Sequence, residues 1–128
     1  YESEKEKLHP FTKSRIEAGI PVSAKQYIEA IEKAKKMQQT LSKFFNKFDA
    51  IITPAATGQA PRDLMNTGNA IFNGYWTMMG VPAISLPLLK GESGLPIGIQ
   101  IISSWNEDFK LLKIAEYILQ ETKKLADY

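Results

Sequence analysis

At 128 residues the chain is sized for one domain with a real hydrophobic core, and its 44% hydrophobic and 23% charged residues suit a globular protein rather than a disordered one. Sixteen Lys and Arg against fourteen Asp and Glu leave a net charge of +2, too small to argue for a nucleic-acid surface. The absence of cysteine excludes disulfides, thiolate zinc sites and thiol nucleophiles, and a Ser-His-Asp triad would have to use the single histidine, His9.

No apolar run approaches the roughly 20 residues that span a bilayer, so no membrane partner is expected. Tyr1 is not an initiator methionine, which suggests a processed protein or a fragment whose upstream targeting signals are out of view. A cytoplasmic setting is expected. Residues 1–18 are charged, with a break at Pro10. Proline is tolerated in the first turn of a helix, so a short helix is predicted over residues 10–18, stopped by Gly19 and Pro21. Residues 1–9 are either the remnant of an earlier element or a loose tail.

Ser23 followed by Gln26 fits a capping box and opens the clearest helix. Tyr27, Ile28, Ile31, Ala34, Leu41, Phe44, Phe45 and Phe48 then recur near a 3.6-residue period. This predicts an amphipathic helix of about six or seven turns, docked by one side onto a core. Its basic residues are interleaved with Glu29 and Glu32, which reads as a solvated face rather than an anion site.

Asp49 ends that helix. Residues 50–53, short, apolar and β-branched, predict a strand buried on both faces. The loop over residues 54–63 leaves the strand's C-terminal end, where open α/β sheets place ligands. Residues 66–79 predict a second helix closed by Gly80 and Pro82, with Gly74 as a weak point in its interior. Strands are predicted at residues 83–86 and 96–102, joined as an antiparallel hairpin through residues 90–94. Pro87 and Pro96 cannot donate to a ladder and belong at a strand end or bulge. Asn106 is placed to cap a last helix starting Glu107-Asp108, with Leu111, Leu112, Ala115, Ile118 and Leu119 inward and Lys123 and Lys124 in its final turn.

Chemistry is sparse in this pattern. Gly91 and Gly94 lie in a hairpin connection with no helix directly following, so no phosphate loop forms. There is no histidine pair and no close acid cluster for a metal; Glu2, Glu4 and Glu6 face solvent. Ser103-Ser104 is the tempting pair, but it ends a strand before a helix, where serines bond locally, and it lacks flanking glycines for an oxyanion hole. Ser42-Lys43 sits mid-helix and reads as surface. His9, in its charged segment, reads as exposed. Phe72, Trp76 and Met79 could be core, pocket wall or both. Thr57 is the polar group best placed near a ligand, with local turn capping as the competing role. These residues alone specify an α/β domain without a recognisable reaction centre.

Four segments taken together go further. Phe48-Asp49-Ala50-Ile51-Ile52-Thr53-Pro54, then Gly80-Val81-Pro82-Ala83-Ile84-Ser85-Leu86-Pro87, then Gly94-Leu95-Pro96-Ile97-Gly98-Ile99-Gln100-Ile101-Ile102, and a last helix with Leu111-Leu112 and Ala115, follow one another in order. With Gly19, Ser23, Tyr27 and Ala30 as lead-in, the set resembles the C-terminal part of the amidase-signature family over most of residues 10–120. The resemblance implies the end of an α/β/α mixed-sheet fold, with few strands flanked by helices in a single partial domain. It implies hydrolysis of carboxamide C–N bonds with no cofactor or metal. The family's serine nucleophile, its second serine and its lysine base lie upstream of this part, so no catalytic residue is carried over. The chain would supply scaffold and substrate-pocket walls for a small amide, with Thr57, Phe72 and Trp76 as the candidates. The tRNA-dependent amidotransferase A subunits, as similar relatives, usually place Asn three residues and Asp ten residues before the motif glycine. Here those positions are Thr77 and Ala70, closer to free-standing amidases. An A-subunit-like portion and a non-catalytic α/β interaction module are the alternatives. A partial sheet also implies an open strand edge and self-association of the isolated chain.

Overall fold

A computed structural model describes residues 1–126. The chain divides into two compact units, Tyr1–Lys35 and a second that begins at Lys36.

In the first unit a 3-10 turn at Lys5–Lys7 precedes α1 (Pro10–Gly19). Pro10 stands at the start of the helix, where its missing N–H is no loss. His9 is exposed, as expected, and also works locally: its Nδ1 accepts from the Phe11 N–H at 3.3 Å, capping α1. Residues 1–9 are tied to the helix by the Tyr1 hydroxyl, which donates to Glu17 at 2.7 Å, and by a Lys13–Glu6 pair at 3.2 Å. The bond to Glu17 favours the protonated phenol and pushes the Tyr1 pKa up to about 12.

Helix α2 (Ala24–Phe45) opens with the predicted reciprocal cap: the Ser23 N–H donates to Gln26 Oε1 at 2.9 Å, and the Gln26 N–H donates to Ser23 Oγ at 3.3 Å. Its docking differs from expectation. None of its residues is buried, and Tyr27 and Ile28 are 63% and 56% exposed. The stripe is only partly covered: Leu41 and Phe45 are half-buried, while Ile31 and Phe44 are exposed. Within the second unit the helix is tethered through Gln38, whose amide donates to the Met79 carbonyl at 2.6 Å.

The second unit is built on three antiparallel strands in the order β1-β3-β2: β1 (Ile51–Pro54), β2 (Ala83–Lys90) and β3 (Pro96–Ile102). Ile102 stands opposite both Ile51 and Ala83, and Gln100 opposite both Thr53 and Ser85. The central position of β3 explains why Ile101 and Ile102 are wholly buried. The hairpin forms as predicted. Its connection closes through the Gly91 N–H to the Leu95 carbonyl at 2.8 Å and the Gly94 N–H to the Gly91 carbonyl at 2.9 Å, with Gly94 at φ +81°. Pro96 begins β3, and Pro87 lies in the register shift between Leu86 and Leu89, so neither breaks a ladder bond.

Three expectations are corrected. Strand β1 is not buried on both faces: Ile52 is 61% exposed, because β1 is an edge strand and α4 (Asp108–Ala126) packs on β2 and β3 instead. The predicted helix over residues 66–79 is only α3 (Gly74–Met79). Before it, Asn66 Oδ1 accepts from the Gly68 N–H and Asn69 Oδ1 from the Ile71 N–H, each at 2.9 Å. Such side-chain turns compete with helical bonding, and Gly74 becomes the first helical residue instead of an interior one. Gly80 does close α3, at φ +65°. The cap of α4 is Glu107, whose carbonyl accepts the first helical bond from the Leu111 N–H at 2.9 Å. Asn106 takes the left-handed position before it, at φ 61°, a conformation that asparagine tolerates. The Lys124 side chain lies outside the described residues.

The core joins Leu86 and Ile101 of the sheet to Leu111 and Ala115 of α4, with Ile84, Leu88 and Ile118 packed around them. One face of α4 thus meets one face of the β2–β3 hairpin, leaving the strand ends and the loop after β1 to shape a site.

Candidate functional site

The loop after β1 begins under tight constraint. The Ala55 N–H donates to the Gly98 carbonyl at 3.0 Å, extending the β1–β3 ladder by one bond. A Cβ at Gly98 would collide with Ser85 Oγ and stand 3.0 Å from the Ala55 Cβ. Glycine at this place in β3 therefore lets both neighbours approach.

From there the loop arches over a cavity of about 440 Å³ lined by Pro54, Ala56, Thr57, Gly58, Phe72, Leu89, Ile97 and Ile99. Two of the three residues predicted to wall a pocket, Thr57 and Phe72, meet here. Thr57 carries the only polar side chain in that lining, and no ionisable group is among it. Such a surface suits an uncharged, largely apolar group, oriented by one hydroxyl. Trp76, the third candidate, is half-buried on α3 and is not in this wall. Its indole Nε1 is buried and has no hydrogen-bond partner among the described residues.

A polar network joins the sheet to the residue that caps α3. Gln100, only 8% exposed, donates through Nε2 to Asn73 Oδ1 at 2.9 Å, while Thr53 Oγ1 donates to Gln100 Oε1 at 3.4 Å. A buried amide must be satisfied, so this network fixes the start of α3, and with it the adjacent Phe72. The signal in the sequence is Gln100 itself, a polar residue inside an apolar strand.

A second hollow, of about 410 Å³, is lined by Lys36, Met37, Thr40, Leu41 and Phe44 of α2 with Ile51 and Met79. It is an apolar groove beside the sheet. Ser103, the tempting nucleophile, is fully buried, with its backbone N–H bound to the Pro82 carbonyl at 3.1 Å. Its side chain is sealed from solvent. The Ser42 hydroxyl donates to the Gln38 carbonyl at 3.0 Å and belongs to the helix. No group of three or more metal-ligating side chains occurs among the described residues.

The family model described as Amidase matches residues 1–112. The chain belongs to the amidase family. Among its relatives is the A subunit of the glutamyl-tRNA(Gln) amidotransferase of Listeria welshimeri, 34% identical over 122 residues, covering 86% of this chain and 25% of that protein. Among solved structures, one described as an amidase superposes with a TM-score of 0.80 at 23% identity, over 94% of this chain and 30% of its own. A bacterial aryl acylamidase of the amidase-signature family gives 0.61 at 17% identity, over 81% of this chain and 24% of its own. These two likenesses show the α/β fold. The amidase-family chain spans about a quarter of the length of the curated relatives it matches.

Proposed function

We propose that this chain is the C-terminal segment of an amidase that hydrolyses carboxamide C–N bonds, supplying scaffold and one wall of the substrate pocket while the bond-breaking groups reside elsewhere in the domain. The match of residues 1–112 to the amidase family carries the reading. The neutral cavity holding Thr57 and Phe72 supports it, because an amide substrate's acyl or amine group is accommodated by an apolar surface with one hydroxyl. In this reading Thr57 and Phe72 touch the substrate, and Trp76 is a supporting residue of α3. A serine on the preceding part of the domain attacks the carbonyl, the amine leaves, and water then releases the acid from the acyl-enzyme. No cofactor is called for.

The exposed part of the α2 stripe and the outer edges of β1 and β2 then have a purpose: they receive the rest of the domain. Alone, such surfaces stick to one another, so the isolated chain is expected to self-associate in light scattering. A strictly monomeric sample at high concentration counts against that assignment. For the activity, the chain joined to its preceding genomic sequence is assayed for ammonia release from simple aliphatic and aromatic amides. Turnover supports the reading, and a folded joined protein without turnover counts against it.

The 34% identity to the Listeria amidotransferase chain favours a second reading, an A-subunit-like portion acting on a tRNA-linked substrate. Thr77 and Ala70, standing where those chains usually have Asn and Asp, speak against it. Co-purifying partner chains and glutamine-dependent turnover would mark the second reading.

A further inference from the structure

Opposite sides of the 440 Å³ cavity come from two segments, Ala56, Thr57 and Gly58 of the loop after β1 and Leu89 and Ile97 of the strands flanking the hairpin connection, while Phe72 adds to the wall from before α3. One side chain bridges them. Gln59 Nε2 donates to Ser93 Oγ at 2.9 Å, and the Ser93 N–H donates back to Gln59 Oε1 at 3.3 Å. A single amide spends both of its functions on one residue of the hairpin turn, two positions after Thr57.

Gly91 makes room for this. A Cβ there would collide with Gln59 Oε1 and stand 2.9 Å from its Cδ and 3.1 Å from its Cβ. A change of the Gln59 side-chain rotamer relieves the first two contacts but not the third, which lies next to the Gln59 backbone. Gly91 is not at positive φ, so a side chain is resisted by Gln59 and not by the backbone.

We infer that Gln59, Ser93 and Gly91 form a latch holding the Thr57 loop against the hairpin, and that Gln59 is thereby a positioning residue that sets the width of the pocket. The loop from Ala55 to the start of α3 has no regular ladder of its own beyond its first bond to Gly98, so its far side depends on side-chain ties of this kind. Opening the latch frees Thr57 and Gly58 from Leu89 and Ile97 and widens the hollow between them. The latch stands on its own geometry; its consequence for an amide rests on the reading of the cavity given above.

The test follows amide hydrogen exchange in the full 128-residue chain for Gln59→Ala, Gly91→Ala and the double variant, together with benzamide titration read at Thr57 and Phe72 by NMR. Each single variant should speed exchange of residues 56–60 about 5-fold while α4 is unchanged. The double variant should go little further than Gln59→Ala, because of the three contacts only the 3.1 Å approach to the Cβ at position 59, which alanine keeps, remains. Unchanged loop exchange in Gln59→Ala, or a Gly91→Ala effect as large in the absence of the Gln59 amide as in its presence, overturns the latch. If the loop loosens as expected but benzamide binds nowhere in wild type, the latch holds and the pocket's assignment to amides fails. If benzamide binds wild type and the variants equally despite a loosened loop, the positioning role is overturned.

Discussion

Helices α2 and α4 share one design and meet different fates. Both carry an apolar stripe at helical spacing opposite a charged face, over 22 and 19 residues. In α4 the stripe lands on the hairpin, and Leu111 and Ala115 are each only 3% exposed against Leu86 and Ile101. In α2 no residue is buried, and Tyr27, Ile28, Ile31 and Phe44 remain exposed. Amphipathic patterning therefore specifies which face can be covered, not that a cover is present. In the proposed reading, α4 serves the core in hand and the exposed part of the α2 stripe receives the rest of the domain.

The comparison can be broken most forcefully at Ile101. Truncation to alanine removes a wholly buried side chain between sheet and α4 and should cost about 2–5 kcal/mol in chemical denaturation. Next comes Gln100→Ala, which strips Asn73 of its donor and should cost about 1–3 kcal/mol, with faster amide exchange in α3 than in α4. The smallest effect belongs to Ile28→Ala on the open stripe, within about 0.5 kcal/mol in the isolated chain. Equal costs at Ile28 and Ile101 would dissolve the contrast between the two helices. The same Ile28→Ala change should lower self-association in light scattering, which separates a docking surface from a merely tolerated apolar residue.

What can be read from the residues follows the range of the forces involved. The Ser23–Gln26 cap, the Gly80 closure of α3 and the placements of Pro87 and Pro96 depend on a few neighbouring residues, and each is visible as pattern. The helix expected over residues 66–79 rests on apolar residues from Ile71 to Met79, and its first half lies among asparagines; in the fold, Asn66 and Asn69 claim nearby backbone N–H groups. Strand β1 has the composition of a buried strand, but its place at the edge is a matter of pairing order, which no local window contains. The site divides in the same way. Thr57 and Phe72 are legible as candidates from loop position and residue type, and the fold brings them to one cavity, while Trp76 is left outside it. The partners in the ties that shape the cavity are invisible in the sequence, although Gln100 stands out as a polar residue in an apolar strand. Gln100 meets Asn73 across 27 positions and Gln59 meets Ser93 across 34, and only the folded chain brings them within hydrogen-bond distance.

The most direct test is amide hydrogen exchange along α2 and α4, measured first in this chain and then in the chain joined to its preceding genomic sequence. If the open stripe is a docking surface for the rest of an amidase, protection of α2 should rise about 10-fold or more on joining while that of α4 stays within about 2-fold. Protection of α2 that is the same in both proteins would contradict the account.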